Sequence, residues 1–232
     1  MKDVIVALDF KNKGEALGFL KNFEESIYVK IGMELFYSEG PEIVREIKEM
    51  GHKIFLDLKF HDIPNTVAGA MRSCLSIGVD MINLHASGGS KMMIAAMEEA
   101  KKADKMPLVI AVTVLTSMDE KTMKEELHVE SSVEEAVVGY AELTKKSGLQ
   151  GIVCSALEVK KIKEVLGKEF LTITPGIRPL DSSSGDQSRV VTPAMARELG
   201  SDYIVVGRPI TKAENPREAY EKIKNEFLGG LK

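Results

Sequence analysis

The stretch FLDLKFHDIPNT, residues 55–66, begins as an apolar strand and yet carries Asp57, Lys59 and Asp62 within six positions. Side chains alternate along a strand, so Phe55, Asp57 and Lys59 share one face and Leu56 and Leu58 the other. An unpaired charge on a buried face is costly and a paired one tolerable, so Asp57 beside Lys59 reads either as a structural ion pair or as a pair of reactive groups. Two further charges mark neighbouring apolar runs: Asp9 closes VIVALD and Lys30 sits in YVKIG. Two lysines interleaved with carboxylates can keep one another ionised in a pocket of low dielectric. They can also present a carboxylate and an ammonium to a single substrate carbon.

Other residues have two readings at this stage. His61, next to Asp62, suits either a loop histidine satisfied by backbone or a general base. His85, at the end of an apolar run, reads as a packed, hydrogen-bonded residue, and Thr66 falls in the first turn of the helix that Pro64 would open, where a capping role competes with a binding one. Near the other end, TPGIRP and VVGRPI put Gly176, Gly207 and Arg208 on neighbouring loops, a pattern suited to a dianion held by backbone N–H groups and a guanidinium. The competing reading is a tight turn and a surface charge. Between them, SSSGDQSR has the composition of a mobile cover whose Gln187 would reach a phosphoryl oxygen on closure.

These residues need a scaffold that brings strand ends together. Eight strand-like runs recur, at 4–9, 28–32, 53–59, 81–87, 108–115, 151–156, 170–176 and 203–208, with helical patterns such as PEIVREIKEMG and KMMIAAMEEAKKADK between them. Such alternation implies parallel βαβ units, and 232 residues over eight units leave about 29 each, close to the size of a (β/α)8 barrel. An open doubly wound sheet is the other candidate, but no GxGxxG follows the first strand and no GxxxxGK[ST] occurs. No Pro/Gly/Ser-rich linker divides the chain, so residues 1–232 are expected to form one α/β barrel domain. In a barrel, Asp9, Lys30, Asp57 and Lys59 converge at the C-terminal mouth, and the long connections at 116–131 and 177–191 are its candidate lids.

A formal net charge of −4 gives no basic field for nucleic acid or anionic lipid. MKDVIVALDF is too short and too acidic for a signal peptide and no segment has the length of a bilayer span, so a cytoplasmic protein is expected. Cys74 and Cys154, far apart and outside any CxxC or Cys/His cluster, fit buried thiols better than a disulfide or a zinc site.

Taken in order and spacing, VALD, VKIG, DLKFHDIPNT (a DxKxxD motif), LTSM, TPGIRP, GDQSR and VVGRP resemble the orotidine 5'-monophosphate decarboxylase family in its bacterial form, from residue 4 to about residue 210. The resemblance implies removal of CO2 from orotidine 5'-monophosphate to give UMP, the last step of de novo pyrimidine synthesis, without cofactor or metal. It implies that Lys59 protonates C6, that Asp57 lies against the substrate carboxylate, and that Lys30 links the array to the ribose. Asp62 would complete the array from a partner subunit in a homodimer with composite sites, and Asp9 and Thr66 would bind ribose hydroxyls, Thr66 again from the partner. Thr116 matches a residue on the pyrimidine edge, Pro175 one lining the pocket, and Gln187, Gly207 and Arg208 a phosphate grip. Two rivals remain at this point. Magnesium-dependent relatives such as 3-keto-L-gulonate 6-phosphate decarboxylase or hexulose-phosphate synthase share DxKxxD but use a carboxylate where this chain has Lys30, and magnesium takes oxygen donors. A non-catalytic phosphate-binding barrel would need Gly207 and Arg208 but not the converging charges.

Overall fold

The computed structural model describes residues 2–179 and 190–230. Eight parallel strands pair each with the next, and the last with the first, in a closed barrel. They are β1 (Asp3–Ala7), β2 (Tyr28–Gly32), β3 (Lys53–Phe60), β4 (Met81–His85), β5 (Leu108–Val112), β6 (Gly151–Val153), β7 (Leu171–Thr174) and β8 (Tyr203–Val206). Around them run α1 (Lys13–Leu20), α2 (Met33–Glu39), α3 (Glu42–Glu49), α4 (Pro64–Leu75), α5 (Gly89–Ala100), α6 (Glu120–Glu125), α7 (Val133–Lys146), α8 (Val159–Leu166), α9 (Pro193–Leu199), α10 (Arg208–Thr211) and α11 (Pro216–Leu228).

The strands are apolar on both faces because both faces are covered. Ile5, Ala7, Tyr28, Phe55, Met81, Ile110, Ile173, Tyr203 and Val205 pack against one another inside the barrel. Their alternates, including Val4, Val6, Val29, Ile31, Ile54, Leu56, Ile82 and Leu84, pack against the helices. Leu56 and Leu58 therefore face the helix layer, as alternation predicts. At Gly151 an added Cβ would lie 2.5 Å from the Leu171 carbonyl oxygen, so only glycine lets β6 approach β7 this closely.

Local signals set the helix starts. Asn12, Asp119, Ser132, Thr192 and Asn215 each accept a backbone N–H in the first turn of the helix they precede, and Ser132 with Glu135 forms a reciprocal capping box. Pro64 opens α4, although its N-cap, Ile63, supplies no side-chain bond and Thr66 does no capping.

The structure alters three expectations. Several strands stop earlier than their apolar runs: β4 ends at His85, where a 3₁₀ turn (Ala86–Gly88) begins, and β6 ends at Val153 before a second one (Ala156–Glu158). The connection at 116–131 is not simply a loop, because Asp119 caps α6 and Met123 is buried beneath it. The third concerns alternation in β3. Its partners on β4 run Phe55 to Met81 and Leu56 to Ile82, then jump to Phe60 opposite Leu84. Four residues of β3 thus face two of β4, and within that bulge Lys59 takes a left-handed φ of 53°.

Candidate active site

The bulge in β3 lies at the C-terminal mouth and shapes the charge array there. Asp57, 8% exposed, ends the regular part of the strand opposite Gly32 of β2. Its Oδ1 accepts the Lys59 ammonium at 2.7 Å, and its Oδ2 faces the Lys30 ammonium at 3.3 Å. Lys30 in turn donates to Asp9 Oδ1 at 3.1 Å, in the segment just after β1. The four residues therefore form a continuous chain of alternating charge across β1, β2 and β3: Asp9, Lys30, Asp57, Lys59.

Gly32 leaves room for this chain, since a Cβ there would lie 3.1 Å from Lys30 Nζ and 3.6 Å from Asp9 Oδ1. Burial penalises the Asp57 carboxylate, but the adjacent ammoniums of Lys30 and Lys59 and the donors on it outweigh that cost and hold its pKa below the usual carboxylate range. Burial likewise opposes the Lys30 ammonium, and Asp57 and Asp9 more than compensate, so its pKa is raised. Both groups stay ionised at neutral pH.

One member of this site is not signalled by charge. Asn83, 1% exposed on β4, donates its carboxamide to Asp57 Oδ1 at 2.6 Å and accepts the backbone N–H of Lys59 at 2.8 Å. The available signal was its position, a polar residue between Met81 and His85 on the inward face of an apolar strand.

Two concavities adjoin the array and share Lys30, Pro175 and Val205. The smaller, of about 190 Å³, is walled by Phe55, Val112, Val114, Val153 and Val205, with Thr116 on its rim and Asp57 and Lys59 in its floor. The larger, of about 620 Å³, holds Asp9, Lys11, Gly176, Arg178, Gly207, Arg208 and Lys212. An apolar slot for a flat ring thus opens into a cationic cleft, with the alternating charges at the junction. Gly207 sits where an added Cβ would be 3.6 Å from Ala7 Cβ and 3.7 Å from Asp9 Oδ2, so bulk there would fill the cleft. Arg178 lies within TPGIRP and is almost fully buried, a cation of the cleft that the motif did not single out.

Asp9, Lys30, Asp57, Lys59, Thr116, Pro175, Gly207 and Arg208 are thus brought together. Asp62 and Thr66 are not. Both are exposed; Asp62 accepts the Ile63 N–H at 2.6 Å, and among the described residues no ion pair joins it to the array of its own chain. Gln187 lies outside the described residues. His61 packs against His85 with tilted rings whose centroids are 5.4 Å apart, and burial lowers the pKa of His85, as do the neighbouring His61 and Lys59. Both cysteines are buried, as expected.

Among the described residues no group of His, Cys, Asp and Glu is arranged to hold a metal, and no helix is long and apolar enough to cross a membrane. Known proteins share both the sequence and this arrangement of strands. The chain is 60% identical to the orotidine 5'-phosphate decarboxylase of Bacillus cytotoxicus over 233 residues, covering 98% of each. The crystal structure of orotidine 5'-phosphate decarboxylase from Lactobacillus acidophilus superposes with a TM-score of 0.89 at 42% identity, covering 98% of this chain and 99% of that one. An uncharacterized conserved protein from Geobacillus kaustophilus superposes with a TM-score of 0.87 at 47% identity, covering 97% and 99%. With a family model matching residues 2–223 as well, this chain belongs to the Orotidine 5'-phosphate decarboxylase / HUMPS family.

Proposed function

We propose that this protein decarboxylates orotidine 5'-monophosphate to UMP and CO2 in pyrimidine biosynthesis, through the residues at the barrel mouth and without a cofactor. The observation that carries the reading is the alternation Asp9, Lys30, Asp57, Lys59 at the junction of an apolar slot and a cationic cleft. The pyrimidine takes the slot, with Thr116 at its edge and Pro175 beside it, and the phosphate takes the cleft with Gly207 and Arg208, Gln187 being assigned to the same phosphate from the GDQSR motif alone. Asp9 and Lys30, between the two, suit the ribose hydroxyls.

In this reading the C6–carboxylate bond breaks, CO2 departs, and the electron pair left on C6 takes a proton from Lys59 Nζ, which regains one from solvent. Two like charges about 4 Å apart repel by roughly 4 kcal/mol at an effective dielectric of 20, or about three decades in rate if fully relieved. Asp57 against the substrate carboxylate contributes on that scale. The larger part comes from the ammonium of Lys59, already in place where negative charge develops.

Cofactor independence is favoured by the donor set. Lys30 Nζ lies 3.1 Å from Asp9 and 3.3 Å from Asp57, so an ammonium, which offers magnesium no oxygen donor, stands between the two carboxylates. This favours the decarboxylase over a magnesium-dependent relation. The four converging charges also exceed what a binding-only barrel requires.

The proposal takes residues 1–232 as one cytoplasmic domain acting as a homodimer, with Asp62 and Thr66 lent to the partner's site; their exposure and separation from their own array support this. Loss of the orotate absorbance from orotidine 5'-monophosphate in excess EDTA tests the reaction, and no loss would redirect the reading to sugar phosphates and magnesium. Asp57→Asn with unchanged turnover would remove the role given to that carboxylate. Mixing inactive Lys59→Ala and Asp62→Ala subunits tests the shared site: exchange without recovery of activity contradicts it.

A further inference from the structure

We infer that Asn83 is a positioning residue that holds the two reacting charges in register, its one carboxamide bridging the Asp57 carboxylate and the backbone of Lys59. The inference rests on the proposed reading of the site and names a residue that reading does not use. Asn83 Nδ2 donates to Asp57 Oδ1 at 2.6 Å, and Asn83 Oδ1 accepts the Lys59 N–H at 2.8 Å. The Lys59 ammonium meets the same Asp57 oxygen at 2.7 Å, so both ends of Lys59 are tied and the loop of contacts closes on itself.

This closure matters because of the backbone it fixes. Lys59 has a φ of 53° within the bulge, a conformation that is costly for a residue with a Cβ and persists only where surroundings hold it. With an apolar residue in place of Asn83, the Lys59 N–H would lose its acceptor and the conformation would lose its hold. The neighbouring β2 already supplies the Lys30 ammonium to Asp57, so removal of Asn83 leaves the carboxylate charged and paired, but loosens the backbone that carries the ammonium proposed to reach C6. A purely structural asparagine would affect stability alone. A positioning one affects the chemical step, because displacement of a reacting group by about 1 Å costs on the order of 100-fold in rate.

The test uses full-length Asn83→Ala and Asn83→Asp proteins, with folding checked by circular dichroism and thermal melting. Kinetics on orotidine 5'-monophosphate are measured together with a carbon-13 NMR titration of Asp57 in unliganded protein. Asn83→Ala is expected to lower kcat by about 10- to 100-fold while KM changes by less than about threefold, since the phosphate cleft is untouched. The Asp57 midpoint is expected to rise, because a donor to its charged form is gone. The charged groups facing Asp57 are Lys30 and, through it, Asp9 from one side, Lys59 on its own strand and His85 on β4, so the titration is followed in the same background in each protein. Asn83→Asp keeps an acceptor for the Lys59 N–H but sets a second carboxylate against Asp57. Its loss is expected to be greater at pH 8 than at pH 5, where the introduced acid can carry a proton and donate again. A wild-type kcat in Asn83→Ala with an unmoved Asp57 midpoint would overturn the inference, as would a defect seen only in melting. If the wild-type protein does not turn over orotidine 5'-monophosphate, the decarboxylase reading fails, and an unmoved Asp57 midpoint in Asn83→Ala would still overturn the bridge inferred here.

Discussion

Asp57 and Asp202 are each a carboxylate held by a lysine at the end of a barrel strand, and they do different things because they sit at opposite ends. Asp202, just before β8, gives Oδ2 to Lys163 at 2.5 Å, to the Thr172 N–H at 2.9 Å and to the Thr172 hydroxyl at 3.0 Å. Asp80, just before β4, likewise takes the Ile54 N–H at 2.9 Å together with Lys48 and Lys105. These carboxylates bind backbone and tie the start of one strand to the start of its neighbour. Among the described residues Asp57 is bound only by side chains, two ammoniums and a carboxamide, and lies beside an open slot. A carboxylate fastened to backbone serves the barrel, whereas one held by movable donors around a concavity is available to a substrate.

The largest effect that would break this comparison is expected at the mouth. Lys59→Ala removes the residue proposed as both proton donor and preorganised cation, terms that together reach on the order of 10⁴-fold or more in turnover. Single-turnover absorbance with enzyme in excess measures it, and the melting temperature should fall less than in the bottom-face variant described next. Turnover within tenfold of wild type would show that the mouth and bottom pairs are of one kind. At the bottom, Asp202→Ala takes one acceptor from Lys163, which keeps the Lys168 and Phe170 carbonyls, and removes the Asp202 acceptor from both Thr172 donors. Losing these part-buried bonds costs about 1–3 kcal/mol, or roughly 2–12 °C in melting temperature for a chain of this size, with kcat retained. A loss of kcat comparable to that of Lys59→Ala would contradict the assignment.

Sequence reasoning reached the charged part of this contrast and little of the neutral part. Asp57, Lys59 and Lys30 stand out because ionised groups are conspicuous in apolar strands, and the barrel followed from the count of alternating elements. Asn83 did not stand out, because a neutral amide raises no alarm in one chain read alone and its partner, a bulge, cannot be read from propensity. Strict alternation already put Lys59 on the right face for the wrong reason. The side chain reaches Asp57 from a left-handed backbone that a lysine rarely adopts. The bounds of helix α6 were not legible, because six residues with one buried apolar side chain carry almost no periodic signal.

Histidines offer a smaller test of the same division. His52, buried before β3, and His85, at the end of β4, both have pKa values lowered mainly by burial. A folded-state pKa below the unfolded value of about 6.5 means that the unfolded chain binds more protons in between, so stability is complete above that pH and declines as pH falls through the window. The melting temperature is therefore expected to fall as pH drops below about 6.5. His52→Gln should flatten that slope without changing the pH dependence of kcat, since His52 accepts the Ile27 N–H at the opposite end of the strands from the mouth. An unchanged slope would remove His52 from the account.

The smallest effect lies within the bottom network and separates contact from contribution. Asp80 faces Lys48 at 2.7 Å and Lys105 at 3.2 Å, but the Lys48 side chain is 29% exposed and that of Lys105 is 87% exposed. The Lys105 ammonium must give up the freedom of a long side chain to make a bond that water and salt screen, so Lys105→Ala should cost about 0.5 kcal/mol or less. Lys48→Ala should cost more, because it removes the less exposed of the two lysines. The pKa of Asp80 is held low, against burial, first by the hydrogen bond from Lys48 and next by the Ile54 N–H, with Lys105 last. The stability this carboxylate contributes is present above its unfolded pKa of about 3.9 and is lost as pH falls through its lower folded value. Removing Lys48 should therefore weaken acid resistance measurably, and removing Lys105 should hardly change it. Urea unfolding at pH 7 and pH 3, repeated at low and high salt, reads both effects. If Lys105→Ala proves as costly as Lys48→Ala, exposure is not what ranks these pairs, and the bottom face would have to be treated, like the mouth, as one coupled array.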